Sequence, residues 1–173
     1  MPGKTIRVGI LQTTVLFAVN QYSVFLQSPQ SYEVHLGVFL PYGDFLHQDE
    51  ITKLLNDGFH GISQGFEGFI GFKADVYLAE SLDRIPYKCL HALPREKTLI
   101  HSLYDYDIKR AKDKGFESLL MPDDQEVRKM LLEDKVRKMA GIAVALEAAK
   151  ENNPIYPGIL NRQGLEPFIP MAG

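Results

Sequence analysis

The 173-residue chain contains one cysteine, Cys89, and no tryptophan. A single thiol excludes an internal disulfide, and it is too few for a cysteine-based zinc or iron–sulfur site within one chain. Long apolar runs are missing as well: the run at residues 15–19 ends at Asn20, whereas a helix that crosses a bilayer needs about 20 apolar residues. A protein of this composition that works at a membrane is therefore expected to work from its side.

Neither sign of charge dominates, because 19 basic residues face 22 acidic ones and leave a net charge of −3. So small a net charge gives no field that would attract nucleic acid or an anionic lipid surface. Residues 1–32 lack acids altogether and have Lys4 and Arg7 as their basic residues. Such a stretch is typical either of a mitochondrial targeting segment or of a plain apolar element.

Two proline–acid junctions predict helix starts, because proline at the first helical position gives up only an N–H that would lack a partner anyway. One helix is expected to open at Pro94. The longest helix is expected at residues 122–151, with acids in its first turn and a stop at Asn152-Asn153-Pro154. Its apolar stripe has three- and four-residue spacing and consists of Leu132, Val136, Met139, Ala143 and Leu146.

Apolar spacing also predicts a helix after Asp49 and a weaker one over residues 77–92. The expected apolar faces are Ile51, Leu54, Leu55 and Ile62 for the first, Leu78, Leu82 and Ile85 for the second, and Ile100, Tyr104, Ile108 and Ala111 for the helix that opens at Pro94 and closes at Gly115. The β-branched and aromatic runs at residues 8–11, 15–19 and 34–40 are too short to assign to strand or buried helix.

Glycine is concentrated at residues 58–72, where Gly65, Gly68 and Gly71 alternate with large apolar residues. This spacing fits neither a dinucleotide-binding turn nor a P-loop, and no Gly-Lys-Ser/Thr follows. We expect these glycines to allow close backbone packing rather than to hold a phosphate.

Three motifs within roughly residues 50–150 resemble a known family. They are Gly71-Phe72-Lys73-Ala74-Asp75-Val76, Leu90-His91-Ala92-Leu93-Pro94-Arg95-Glu96, and Lys109-Arg110-Ala111-Lys112-Asp113 with Met121-Pro122-Asp123-Asp124. Together they resemble the small matrix-side subunit of the mitochondrial cytochrome bc complex (ubiquinol–cytochrome c reductase, complex III), the subunit 7 or ubiquinone-binding protein family. Val76 stands where that family has a second acid, and Met121 where it has leucine.

The resemblance implies a mainly α fold: an irregular or partly β N-terminal extension (1–47), a helical core (48–151) that includes the long C-terminal helix, and a proline-rich apolar tail (152–173). It also implies a non-catalytic accessory subunit, peripheral to the mitochondrial inner membrane on the matrix side, that supports assembly around cytochrome b and the core subunits. No catalytic, cofactor-binding or metal-binding residue is expected. Lys109 and Arg110 either contact an anionic lipid or acidic partner, or compensate a helix dipole.

A docking surface for other subunits is expected on the slim side of the last helix and in the tail. A helix of about 40 Å exceeds what a compact domain of this size requires, and apolar surface left in water is costly. The residues of this surface are Met139, Ala140, Ala143, Leu146, Ala148, Phe168 and Ile169.

A second hypothesis is a small soluble α/β enzyme or ligand-binding domain, with residues 6–11 and 34–40 as core strands. Its candidate polar groups are His35, Asp44, His47, Asp49 and His60, side chains that also occur in most globular chains. Cys89 and His91 are close in sequence, and the pattern favours a buried thiol beside a surface histidine over a metal or nucleophilic site.

Overall fold

The computed structural model of the chain describes residues 5–12, 15–38, 47–85 and 87–150. Six strands form one fully parallel sheet in the order β3-β2-β1-β4-β5-β6. The strands are β1 (Ile6–Gln12), β2 (Tyr32–Val38), β3 (Gly61–Ser63), β4 (Val76–Glu80), β5 (Thr98–Ser102) and β6 (Glu117–Leu120). The helices are α1 (Val15–Leu26), α2 (Gln48–Asn56), α3 (Phe66–Gly71), α4 (Tyr87–Leu90), α5 (Asp105–Asp113) and α6 (Gln125–Lys150), with 3₁₀ turns at Leu82–Arg84 and Arg95–Lys97.

The sheet overturns the predicted mainly α fold, because the protein is α/β. The N-terminal stretch that was expected to be an irregular or partly β extension supplies β1, α1 and β2, and β1 lies in the middle of the sheet. A parallel strand is covered on both faces, so it reads as a continuous apolar run without the alternation that identifies a half-exposed strand. The core strands expected at residues 6–11 and 34–40 under the second hypothesis are confirmed as β1 and β2, although residues 39–40 lie outside the described part.

Each face of the sheet is covered by its own set of helices. On one face, Phe25 of α1, Leu54 of α2 and Leu132 of α6 belong to a single buried apolar cluster. On the other face, Phe69 of α3 and Ala111 of α5 belong to a second cluster. The two clusters enclose the sheet on both faces, and β4 ends in a carboxylate, that of Glu80.

The predicted long helix is confirmed, whereas the prediction of a helix that opens at Pro94 is wrong. α6 begins at Gln125, where the Asp124 carboxylate accepts hydrogen bonds from the N–H groups of Glu126 and Val127 at 2.9 and 3.1 Å, an N-cap arrangement. After Pro94 the chain makes a single 3₁₀ turn and enters β5, and a helix forms only from Asp105 to Asp113. Gly115 closes that helix with φ +84°, as expected.

The other helix predictions are partly right. α2 covers the helix expected after Asp49, with Leu54 buried and Leu55 exposed, but Ile62 lies in β3. The helix expected over residues 77–92 is wrong: this stretch holds the end of β4, a 3₁₀ turn and the single-turn helix α4. The four-residue interval between Leu78 and Leu82 imitates a helical face although the two residues belong to different elements.

The glycines spaced three apart do not act as predicted. A Cβ at Gly65 or Gly71 would meet nothing within 4 Å, and one at Gly68 would make only ordinary contact with Ser63. The close approaches lie elsewhere, at Gly9 in β1 and at Gly61, where a Cβ would come within 2.6 Å of the His35 ring.

The slim side of α6 faces its own sheet. Met139, Ala140 and Ala143 are only 4, 6 and 6% exposed, and Met139 and Ala140 belong to the core cluster of the α1 face. The prediction that these three residues dock on other subunits is therefore wrong, because Met139 is buried in the chain's own core and the small Ala140 and Ala143 let α6 approach that core closely. The side chains of Leu146 and Ala148 and the tail residues Phe168 and Ile169 lie outside the described part. Among the described helices, none is both long and apolar enough to cross a bilayer.

Replacing Gly9 by alanine should destabilise the fold, because the new Cβ would lie 2.9 Å from Tyr77 Cδ1 and 3.0 Å from Phe69 Cζ in a packed core. We expect the free energy of unfolding to fall by about 1–3 kcal/mol, measured by urea denaturation. Gly141→Ala is the matched control: it lies inside α6 with nothing within 4 Å of the new Cβ, so it should raise stability by up to about 1 kcal/mol. A neutral Gly9→Ala would contradict the packing described for β1.

Candidate ligand cleft at the carboxyl edge of the sheet

The strand order contains a switch point, where the connections that leave two neighbouring strands run to opposite sides of the sheet. β1 and β4 are neighbours, but the chain leaves β1 towards β2 on one side and leaves β4 towards β5 on the other. In open parallel sheets, ligands bind outside the carboxyl ends of the strands at such a switch point. A functional site is therefore expected outside the carboxyl ends of β1 and β4.

A cleft of about 570 Å³ lies beside this point, outside the carboxyl ends of β4 and β5 and between α1, the helix that follows β1, and the start of α6. Its size is within the range of small-molecule sites in proteins. Three parts of the chain supply its walls: α1, the ends of β4 and β5, and the first turns of α6. The lining residues are Gln21, Ser23, Val24, Gln27, Glu80, Leu103, Asp123, Gln125, Glu126, Arg128 and Lys129.

The backbone at the end of β4 has an unusual conformation. Ser81, directly after Glu80, has φ +64° and ψ 147°, a combination that costs a non-glycine residue about 1–3 kcal/mol. Two hydrogen bonds hold it: its N–H donates to the His101 carbonyl at 3.0 Å, and its hydroxyl accepts from the Asp83 N–H at 3.2 Å. The sharp turn ends the strand directly at Glu80, so this carboxylate stands at the cleft.

A buried tyrosine–histidine pair lies close to the cleft. Tyr22 of α1 and His101 of β5 share a hydrogen bond of 2.9 Å between the hydroxyl and Nε2, and both side chains are enclosed. Burial, together with the smaller effect of the positive charge of Arg128, lowers the pKa of His101 to about 3. Burial, together with the negative charge of Glu80, raises the pKa of Tyr22 above its ordinary value. The pair is therefore neutral near pH 7, and it ties α1 to the sheet.

Of the two basic residues that line the cleft, Arg128 is the more buried, with 18% of its side chain exposed. Its ion pair with Asp123 is long, 3.5 Å from Nη2 to Oδ1, and that aspartate side chain is 95% exposed. Arg128 Nε is buried without a hydrogen-bond partner, and so is Oε1 of Gln21 on the facing helix. A buried polar atom without a partner costs about 1–3 kcal/mol. Both residues line the cleft.

The histidines and acids named from the sequence are not brought together. The His35 ring stacks on Phe72 with centroids 3.5 Å apart and bonds Glu33 at 3.1 Å, while burial lowers its pKa. His60 accepts a hydrogen bond from the Val34 N–H. Of the other three, His47 precedes α2 and Asp49 lies in its first turn, whereas Asp44 lies outside the described part. None of the described four lines the cleft.

The cysteine and its neighbour behave as expected. Cys89 is buried, which raises the pKa of its thiol, and His91 is exposed. Over the part of the chain that the structure describes, no three His, Cys, Asp or Glu side chains are placed to hold a metal ion. Arg110 pairs with Asp83 at 3.2 Å and with Asp107 at 3.7 Å, so at least one of the two basic residues singled out in α5 is engaged within the chain.

A second cleft of about 580 Å³ lies at the opposite, amino edge of the sheet. Its central cation, Arg95, lies 3.9 Å from the Phe116 ring centre and donates to the carbonyls of Leu90, Leu93 and Lys114. Three of the five N–H groups of this guanidinium donate to carbonyls of the chain itself, so Arg95 has a structural role in this cleft.

Sequence reasoning missed the residues that form the carboxyl-edge cleft. Glu80, Arg128 and Gln21 come from a strand and two helices that are far apart in the chain. The one signal in the sequence was an acid directly after the apolar run at residues 76–79, which marks a strand end only once that run is known to be a strand. Comparison of the chain with protein-family models, curated proteins and solved structures finds no match. Function must therefore be inferred from the cleft itself.

Replacing His101 by glutamine should make the fold less sensitive to acid. The folded pKa of about 3 lies below the 6.5 of a free histidine, so between these values the unfolded chain binds the proton and stability falls as pH falls. This linkage amounts to about 1.4 kcal/mol per pH unit. From pH 7 to pH 4.5 the wild-type chain should therefore lose about 2–3 kcal/mol more than His101→Gln, measured by urea denaturation. The exposed His91→Gln controls for the loss of one imidazole, and parallel curves for wild type and His101→Gln would contradict the buried neutral state.

Proposed function

We propose that the chain is an α/β ligand-binding domain whose ligand is a small molecule rich in hydroxyl groups, such as a sugar. The observation that carries this proposal is the position of the cleft, outside the carboxyl ends of β4 and β5 beside the switch point. The strained turn at Ser81 supports it, because such backbone conformations cluster at functional sites.

The mixture of side chains in the cleft favours hydroxyl groups. Carboxylates such as Glu80 only accept hydrogen bonds, guanidinium and ammonium groups such as Arg128 and Lys129 only donate them, and amides such as Gln21 do both. A hydroxyl group both donates and accepts, so a polyhydroxylated ring can satisfy all three kinds of neighbour. Its hydroxyl groups can also donate a hydrogen bond to Gln21 Oε1 and accept one from Arg128 Nε after a small rotation of these side chains.

A strongly anionic ligand fits the same cleft less well. The lining contains three carboxylates, from Glu80, Asp123 and Glu126, against the two cations Arg128 and Lys129. Like charges close together repel, and a phosphate would have to approach this surplus of negative charge. Phosphate sites in α/β folds rely instead on a helix N-terminus or a cluster of basic residues, and the start of α6 is already capped by Asp124.

The described groups favour binding over catalysis. The Ser81 hydroxyl accepts a hydrogen bond from the Asp83 N–H, and the enclosed His101 is bonded to Tyr22. A nucleophile needs a base within hydrogen-bond reach, and this serine and histidine are not arranged as such a pair. We therefore propose a binding role without a chemical step of its own.

The accessory-subunit hypothesis stays a prediction. The helical fold implied by the resemblance to the complex III subunit is wrong, so the short motifs alone support that role. Its test is co-purification: a chain recovered only within a mitochondrial membrane complex would favour it, and a monodisperse monomer expressed alone would favour the ligand-binding proposal.

The binding proposal is tested by thermal unfolding with a panel of small molecules. Free sugars and polyols should raise the Tm, whereas inorganic phosphate and glycine should not, since a ligand that binds only the folded state stabilises it. Glu80→Gln keeps the shape of the side chain but removes its charge. We expect calorimetry to show affinity for the best sugar reduced by about 5- to 30-fold, because hydrogen bonds to charged groups are stronger by about 1–2 kcal/mol than those between neutral groups.

Glu96→Gln is the control for this experiment, because Glu96 is an exposed carboxylate that lines the cleft at the amino edge of the sheet. It should leave sugar affinity unchanged. Absence of stabilisation by any sugar or polyol, or equal affinity in the wild type and Glu80→Gln, would contradict the proposal.

A further inference from the structure

A smaller, apolar chamber adjoins the proposed ligand cleft. Its volume is about 340 Å³, and it lies where β5 and β6 end. Four of its five lining residues have apolar side chains, and the fifth is an aspartate. The lining residues are Leu103, Leu120, Met121, Pro122 and Asp123.

The chamber and the cleft share two lining residues, Leu103 and Asp123. The two spaces are therefore neighbours with a common wall rather than separate sites. A molecule bound in the polar cleft can therefore extend past Leu103 into the apolar chamber.

Apolar side chains in and beside the chamber are exposed to solvent. Leu103 is 40% and Leu120 is 46% exposed. Tyr104 and Tyr106, which follow Leu103, are 57 and 59% exposed, and their rings stack on each other 5.6 Å apart at 24°. Apolar side chains that remain exposed next to a polar cleft are typical of a binding site that covers them with part of its ligand.

We propose that the ligand is a glycoside: its sugar occupies the polar cleft, and an apolar group on that sugar occupies the chamber between Leu103, Leu120 and Pro122. This inference rests on the proposed sugar-binding function and adds the class of molecule. A chamber of this volume accommodates a group about the size of a phenyl ring or a short alkyl chain. Asp123, on the common wall, can accept a hydrogen bond from a sugar hydroxyl. An anionic group in the chamber would be repelled by the negative charge of this carboxylate.

The test compares the methyl and phenyl glycosides of glucose, galactose and mannose by calorimetry. In the wild-type protein, the phenyl glycoside of the best-bound sugar should bind about tenfold more tightly than its methyl counterpart, since the ring buries apolar surface in the chamber. Leu120→Ser should reduce this preference to about threefold or less while affinity for the methyl glycoside is kept. Because Leu120 is half-exposed at the end of β6, the substitution leaves the two buried clusters untouched.

Leu55→Ser is the matched control, because Leu55 is 47% exposed on α2 and lines neither space. It should leave the tenfold preference unchanged. Glu80→Gln should weaken both glycosides by the same factor and so preserve their ratio.

The outcomes separate the two proposals. Equal affinity for the methyl and phenyl glycosides, or an unchanged preference in Leu120→Ser, overturns the glycoside inference; if Glu80→Gln still weakens methyl-glycoside binding, the proposed function stands. Failure of every glycoside to bind overturns the glycoside inference, and the proposed function falls with it only if no free sugar or polyol raises the Tm. A phenyl preference that is lost equally in Leu55→Ser and Leu120→Ser also overturns the inference, because it would place the ring outside the chamber.

Discussion

Burial of the parallel sheet on both faces is the constraint on which the rest of this structure depends. Apolar side chains from α1, α2 and α6 cover one face, and those from α3, α4 and α5 cover the other. Polar groups are costly in such a core unless they are paired, as Tyr22 and His101 are. The carboxylate of Glu80 lies where its strand ends, and there it meets the cleft.

The same burial explains how much of the fold could be predicted from the sequence. α6 was predictable because acids open it, its stripe has helical spacing and Asn152-Asn153-Pro154 follows it. β4 was not, because its continuous apolar run shows no alternation and the interval between Leu78 and Leu82 imitates a helix. β5 was not either, because only Leu99 and Ile100 of its five residues are apolar. The small residues of α6 predicted close packing correctly but gave no information about the partner, which is the chain's own sheet.

The cleft could not be found from the sequence for a related reason. Its polar groups come from elements that are far apart in the chain, and only the strand order brings Gln21, Glu80 and Arg128 to the same edge. The histidines that could be named beforehand stabilise the fold instead: His35 stacks on Phe72, and His60 accepts from the Val34 N–H. Residue type alone identified candidates, whereas topology decides which of them face a ligand.

An amide NMR titration with the sugar that stabilises the protein most would test the central claim most directly, because it locates the ligand. Binding at the carboxyl edge predicts the largest shifts at Gln21, Ser81, Leu103 and Arg128, with the amides around Phe116 at the amino edge little affected. Shifts concentrated around Phe116, or none at a saturating concentration of sugar, would contradict the account.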